Sequence, residues 1–253
     1  MSSDISLLNP DTILPPNPES PTVPWSFRDT WIGFGLFIVC MVGIGLLPLL
    51  FAKTGWLMSV WVLAYQPVQA LPVLAVLLLR RATWADIGFK KAQPNVLALG
   101  CGLVFLTFGV NFFNNLIMWA LGVEIQAEQF TGILDQLDMP ALLLITGILF
   151  APLIEETVMR GFLFAGLRQR LGWVKAALIS SAIFGALHLS IAAFIPTFTL
   201  GFLFCYLYQR SASLWPGIIL HTLINALGLC AAYLLSQYMD PSVLFGGLMW
   251  FGI

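Results

Sequence analysis

A chain of 253 residues with 59% hydrophobic and only 9% charged side chains lies far from the roughly 25% charged of a soluble domain. Its apolar runs, each near the ~20 residues that cross a bilayer as helix, give an integral membrane protein with room for about seven or eight helices. A net charge of −1 excludes a basic nucleic-acid footprint, so composition names the lipid bilayer as partner and no nucleic acid.

The first 29 residues hold Pro10, Pro15, Pro16, Pro18, Pro21 and Pro24 and read as an extended, disordered arm. They lack the basic-then-apolar pattern of a cleaved signal, so Thr30 to Phe51 is expected to be a retained first span. The apolar runs predict an all-α, polytopic transmembrane bundle over residues 30–253, with helices at about 30–51, 56–79, 96–121, 140–166, 174–190, 192–209, 214–236 and 242–253. The last run is short for a ~30 Å core at 1.5 Å per residue and is expected to be partial. Cys40, Cys101, Cys205 and Cys230 all fall in apolar runs, where thiols behave as small hydrophobes and form no secreted disulfide framework.

Charge orients this bundle. With residues 80–95 in the cytoplasm, Arg80, Arg81, Lys90 and Lys91 are inside, and alternation adds Arg28, Arg160, Arg168, Arg170, Lys175 and Arg210. Only Lys53 falls outside, and the opposite loop 122–139 carries Glu124, Glu128, Asp135 and Asp138 with no Lys or Arg. The positive-inside rule therefore expects a multi-pass protein with a cytoplasmic N-terminus. The acidic loop reads as a solvated surface.

Three short motifs inside apolar runs hold the chemistry: Glu155-Glu156-x-x-x-Arg160, Phe184-x-x-x-His188 and His221-x-x-x-Asn225. Ionisable groups are expensive in hydrocarbon and mark a functional site, and the only two histidines of the chain, His188 and His221, both lie here. Residues four apart share a helix face, so Glu156 is expected to pair with Arg160, while Glu155 is rotated about 100° away. Glu155 is thus left free as a general base. His221 and Asn225 share a face and can both donate to a developing oxyanion. His188, oriented by the ring of Phe184 one turn earlier, is expected to position the attacking water with Glu155. Glu155 lies thirteen residues before Arg168, and His188 thirteen after Lys175, each on the order of 20 Å along a helix. The site is therefore expected within the membrane, with helices 140–166, 174–190 and 214–236 as neighbours.

Any one of these elements has a plainer reading: an ion pair can clamp helices, and an asparagine can glue them. Two glutamates, an arginine, two histidines and an asparagine on three helices are poorly explained as glue. The chain has no His-Glu-x-x-His helix and no Gly-x-Ser-x-Gly elbow. Glu155, His188 and His221 could together hold a catalytic zinc. Asn225 suits an oxyanion donor better than a zinc ligand, so no metal is the expectation and zinc the alternative.

The segments Glu155-Glu156-Thr157-Val158-Met159-Arg160, Phe184-Gly185-Ala186-Leu187-His188 and His221-Thr222-Leu223-Ile224-Asn225, with the approach Ser213-Leu214-Trp215-Pro216-Gly217, resemble the signature motifs of the CPBP family. These are the CAAX-processing and bacteriocin-processing intramembrane endopeptidases, also called Abi proteins. The resemblance covers about 145–230 and implies a catalytic core at about 140–236. It implies that Glu155 and His188 activate water and that His221 and Asn225 form the oxyanion site. Family members have also been called metalloproteases. The substrate implied is a membrane-associated or lipidated polypeptide. Two other classes stay open: a transporter or proton relay, since mid-membrane Glu and His also carry protons, and a protease-like scaffold or immunity protein that binds without cleaving. Against the transporter, no inverted repeat is evident. Oligomeric state leaves no trace in the sequence.

Overall fold

The computed structural model describes residues 22–51, 55–92, 94–123 and 137–238. Among these the chain forms seven helices and no strand: α1 Phe27–Leu50, α2 Gly55–Leu79, α3 Pro94–Ala120, α4 Pro140–Leu171, α5 Trp173–Leu187, α6 Ile191–Ser211 and α7 Trp215–Tyr238. All except α5 are long and apolar enough to cross a membrane, and the protein is a multi-pass helical membrane bundle. The expected run 242–253, residues 1–21 of the arm and most of the acidic loop lie outside the described residues.

Helix ends follow local chemistry. Ser26 and Asp29 form a reciprocal capping box that starts α1, satisfying two otherwise unpaired backbone donors. The start therefore falls at Phe27. The described part of the arm is packed: Trp25 is buried and stacks on Phe162 at 5.5 Å. Gln169 of α4 accepts from the Val23 N–H and donates to the Trp25 carbonyl. α5 ends at Leu187, short of the expected 190, because Leu189 takes a left-handed φ of 51° and the Ser190 side chain caps α6 by accepting from Ala193 N–H.

α4 is the axis of the bundle. Val158 to Leu167 are almost wholly buried, and α5 and α7 each pack on α4 while α6 touches both. The expected neighbours do meet. Two stretches of α4, Thr146–Phe150 and Thr157–Phe164, are wound as π-helix, a wider turn concentrated at functional sites. Gly161 lets the backbone of the 80–92 segment approach: an added Cβ would lie 2.8 Å from the Ile87 carbonyl oxygen. That segment is tied down at one end of the bundle. Gly88 accepts from Leu214 N–H at 2.8 Å, Lys90 accepts from Ser213 Oγ at 2.7 Å, and Arg80 pairs with Asp29 at 2.6 Å. The start of α1, the end of α2 and the α6–α7 turn therefore share one basic end.

Candidate active site

Glu155 and Glu156 close the α-helical stretch Ala151–Glu156, immediately before the second π segment. The 100° between neighbours on a helix sends them to different places. Glu156 is sealed, with its side chain 1% exposed, whereas Glu155 is 26% exposed. Glu156 Oε1 accepts from Arg160 Nη1 at 2.9 Å and from His221 Nδ1 at 3.0 Å. The expected Glu156–Arg160 pair is present, but its carboxylate also holds His221. Gly217 makes room for it, since a Cβ there would lie 3.0 Å from Glu156 Oε2.

Aromatic rings enclose this cluster. The Arg160 guanidinium lies 4.5 Å from the Phe184 centroid and 5.4 Å from that of Phe204, geometries in which the ring face attracts a cation. Phe204 stacks on His221 at 5.4 Å and 29°. Phe184 meets His188 edge-on at 4.9 Å and His221 at 6.1 Å. Phe184 thus touches all three motifs, a wider part than orienting His188. His188 Nδ1 lies 2.8 Å from the Phe184 carbonyl oxygen, which makes Nδ1 the donor and leaves Nε2 free.

Glu155 and His188 line one cavity of about 160 Å³ between α1, α2, α4 and α5. Its walls are largely apolar, from Phe37, Met41 and Leu187, with Tyr65, Gln66 and Gln69 contributed by α2. Gln66 Nε2 lies 3.4 Å from Glu155 Oε1. The second glutamate oxygen, Oε2, is 3.9 Å from His221 Nε2. Asn225 is placed differently from the other motif residues: its Nδ2 donates to the Gly147 carbonyl at 2.8 Å, on the first π stretch of α4. The structure therefore joins Glu155, Glu156, Arg160, Phe184, His188 and His221 in one cluster, and ties Asn225, one turn beyond His221 on α7, to the Gly147 carbonyl of α4.

Phe204, Gln66 and Gln69 escaped the sequence reading. Phe204 had no signal, because phenylalanine in an apolar span is ordinary packing. The glutamines did have one, as two amides three residues apart in an apolar run. As for zinc, among the described residues no three His, Cys, Asp or Glu side chains converge on one point. His221 Nδ1 donates to Glu156 and His188 Nδ1 to a backbone carbonyl, contacts that leave both Nε2 atoms outward, as in histidine metal ligands. Glu155, His188 and His221 are therefore the residues that would hold zinc, although they are not drawn into one ligand set here.

Comparison with known proteins bears on the same segment. Residues 137–227 match the family model described as type II CAAX prenyl endopeptidase Rce1-like, a stretch that contains all three motifs. The chain is 24% identical over 192 residues to the putative membrane peptidase YdiL of Bacillus subtilis, covering 72% of this chain and 79% of that protein. It is 27% identical over 141 residues to the UPF0177 protein YxdF of Lactococcus lactis, covering 54% and 77%. No solved structure gives a significant match. The motifs, the helical bundle that assembles them and these relatives agree: over residues 137–227 the chain is similar to the CPBP-type, Rce1-like membrane proteases.

Proposed function

We propose that this protein is an intramembrane endopeptidase that hydrolyses a peptide bond of a membrane-associated or lipidated polypeptide. The observation that carries this reading is the divergence of the adjacent glutamates: Glu155 shares a cavity with His188 while Glu156 is sealed against Arg160 and His221. Water held between Glu155 and His188 Nε2 gives its proton to the Glu155 carboxylate as its oxygen attacks the carbonyl carbon. The proton then passes to the leaving amine as the C–N bond breaks. The oxyanion is met by His221 Nε2 and by the second N–H of Asn225, the first being used on Gly147. Because Nδ1–H of His221 is directed at the Glu156 carboxylate, Nε2 donates to the oxyanion when that nitrogen also carries a proton. The chemistry runs without a metal ion. The N-terminus and the basic end of the bundle face the cytoplasm, and substrate reaches the site from that side.

The test is direct. Purified protein in lipid is incubated with a farnesylated CAAX-type peptide and its unmodified twin, with and without a chelator, and products are read by mass spectrometry. Cleavage that survives the chelator is the expected result. Proton flux in sealed vesicles without cleavage would establish the relay instead, and peptide binding without turnover the scaffold.

A further inference from the structure

Outside the matched region, α2 sends a polar chain to the site that no motif of the sequence contains. Gln66 and Gln69 sit three residues apart on one face of an otherwise apolar helix, and both line the cavity with Glu155 and His188. Gln69 is 4% exposed, a burial that costs an amide free energy unless it is hydrogen-bonded. Its Nε2 donates to Gln66 Oε1. With its oxygen so occupied, Gln66 must turn its own Nε2 outward, and Nε2 lies 3.4 Å from Glu155 Oε1. Pro67, between the two, lacks the N–H that would bond the carbonyl four residues back, so the helix is free to bend where the pair projects.

We propose that Gln66, oriented by Gln69, is a positioning residue for Glu155: its N–H holds Oε1, so that Oε2 is presented to the water. A carboxylate with one oxygen fixed has a single productive orientation, whereas an unheld one rotates about its terminal torsion, which is broad. Glue between α2 and α4 would leave the same contact in the structure, but it would be read in stability and not in chemistry. The inference rests on Glu155 acting as the base.

The experiment compares Gln66→Met, Gln69→Met and the double variant, in full-length protein in nanodiscs with the farnesylated CAAX peptide. Methionine keeps the length and removes the polar ends. Expected is a fall in kcat on the order of 10- to 100-fold for Gln66→Met, with KM and melting temperature little changed, as for a misplaced reacting group. Gln69→Met should fall in the same direction. The double variant should be no worse than Gln66→Met alone, because Gln69 acts through Gln66. Independently of turnover, the Glu155 carboxylate band, isolated as the infrared difference between wild type and Glu155→Gln, should shift in Gln66→Met. An unshifted band, or full kcat in a folded Gln66→Met protein beside an inactive Glu155→Gln protein, would overturn this inference alone. An active Glu155→Gln protein would instead overturn the reading beneath it.

Discussion

Glu156→Gln separates the two glutamates at the scale of single residues. Glu156 is 1% exposed and its Oε1 accepts from both Arg160 and His221. The substitution leaves a buried guanidinium without a counter-charge, at a cost of roughly 3–5 kcal/mol. The expected outcome is a melting temperature well below that of wild type, with activity lost through unfolding; an unchanged melt would contradict it. Asn225→Ala removes both the tie to Gly147 and the proposed oxyanion donor. It should lower kcat by about 10²–10³ and stability by about 1 kcal/mol, with substrate binding kept, as checked by single-turnover kinetics beside a thermal melt. Which residues would cluster was legible because ionisable groups are conspicuous among apolar ones. Their wiring was only half legible: helical spacing gives Glu156 with Arg160, since that pair is local, whereas His221 reaching Glu156 across 65 positions of sequence is a product of packing.

At the scale of elements, α4 couples the site to the rest of the bundle through its π-wound stretch Thr157–Phe164. Gly161 in that stretch faces the Ile87 carbonyl, where a Cβ would sit 2.8 Å from a backbone oxygen. A backbone atom cannot swing aside, so Gly161→Ala should cost about 1–3 kcal/mol by overpacking and loosen the 80–92 segment. Gly35→Ala, with nothing within 4 Å of an added Cβ, is the matched control and should melt like wild type or higher. Hydrogen exchange at residues 84–90 reports the loosening, and equal melts for the two variants would count against the packing account. Helix positions were readable from apolar runs, but the first helix was expected from residue 30, with Ser26 and Asp29 assigned to the arm rather than to the capping box that starts α1 at Phe27. The π winding and the early end of α5 were not readable, because both arise from how helices meet. Gln66 and Gln69 went unread for a related reason, since an amide in a span is commonly glue until its partner is seen.

At the scale of the whole molecule, the basic end is physically one place, joined by Arg80 to Asp29 and by Ser213 to Lys90. With the native cysteines replaced, Lys90→Cys should react with an impermeant thiol reagent only after cells are opened, and Val123→Cys should react in intact cells. The reverse pattern would invert the proposed orientation. The central claim is that Glu155, set in the cavity with His188, is the base of a peptide-bond hydrolysis. The measurement closest to it is turnover of the farnesylated peptide by Glu155→Gln protein in nanodiscs, with a thermal melt on the same sample. An amide keeps the shape but accepts no proton, so the account predicts a wild-type melt and a turnover lower by at least about 10². A folded Glu155→Gln protein cleaving at the wild-type rate would contradict it.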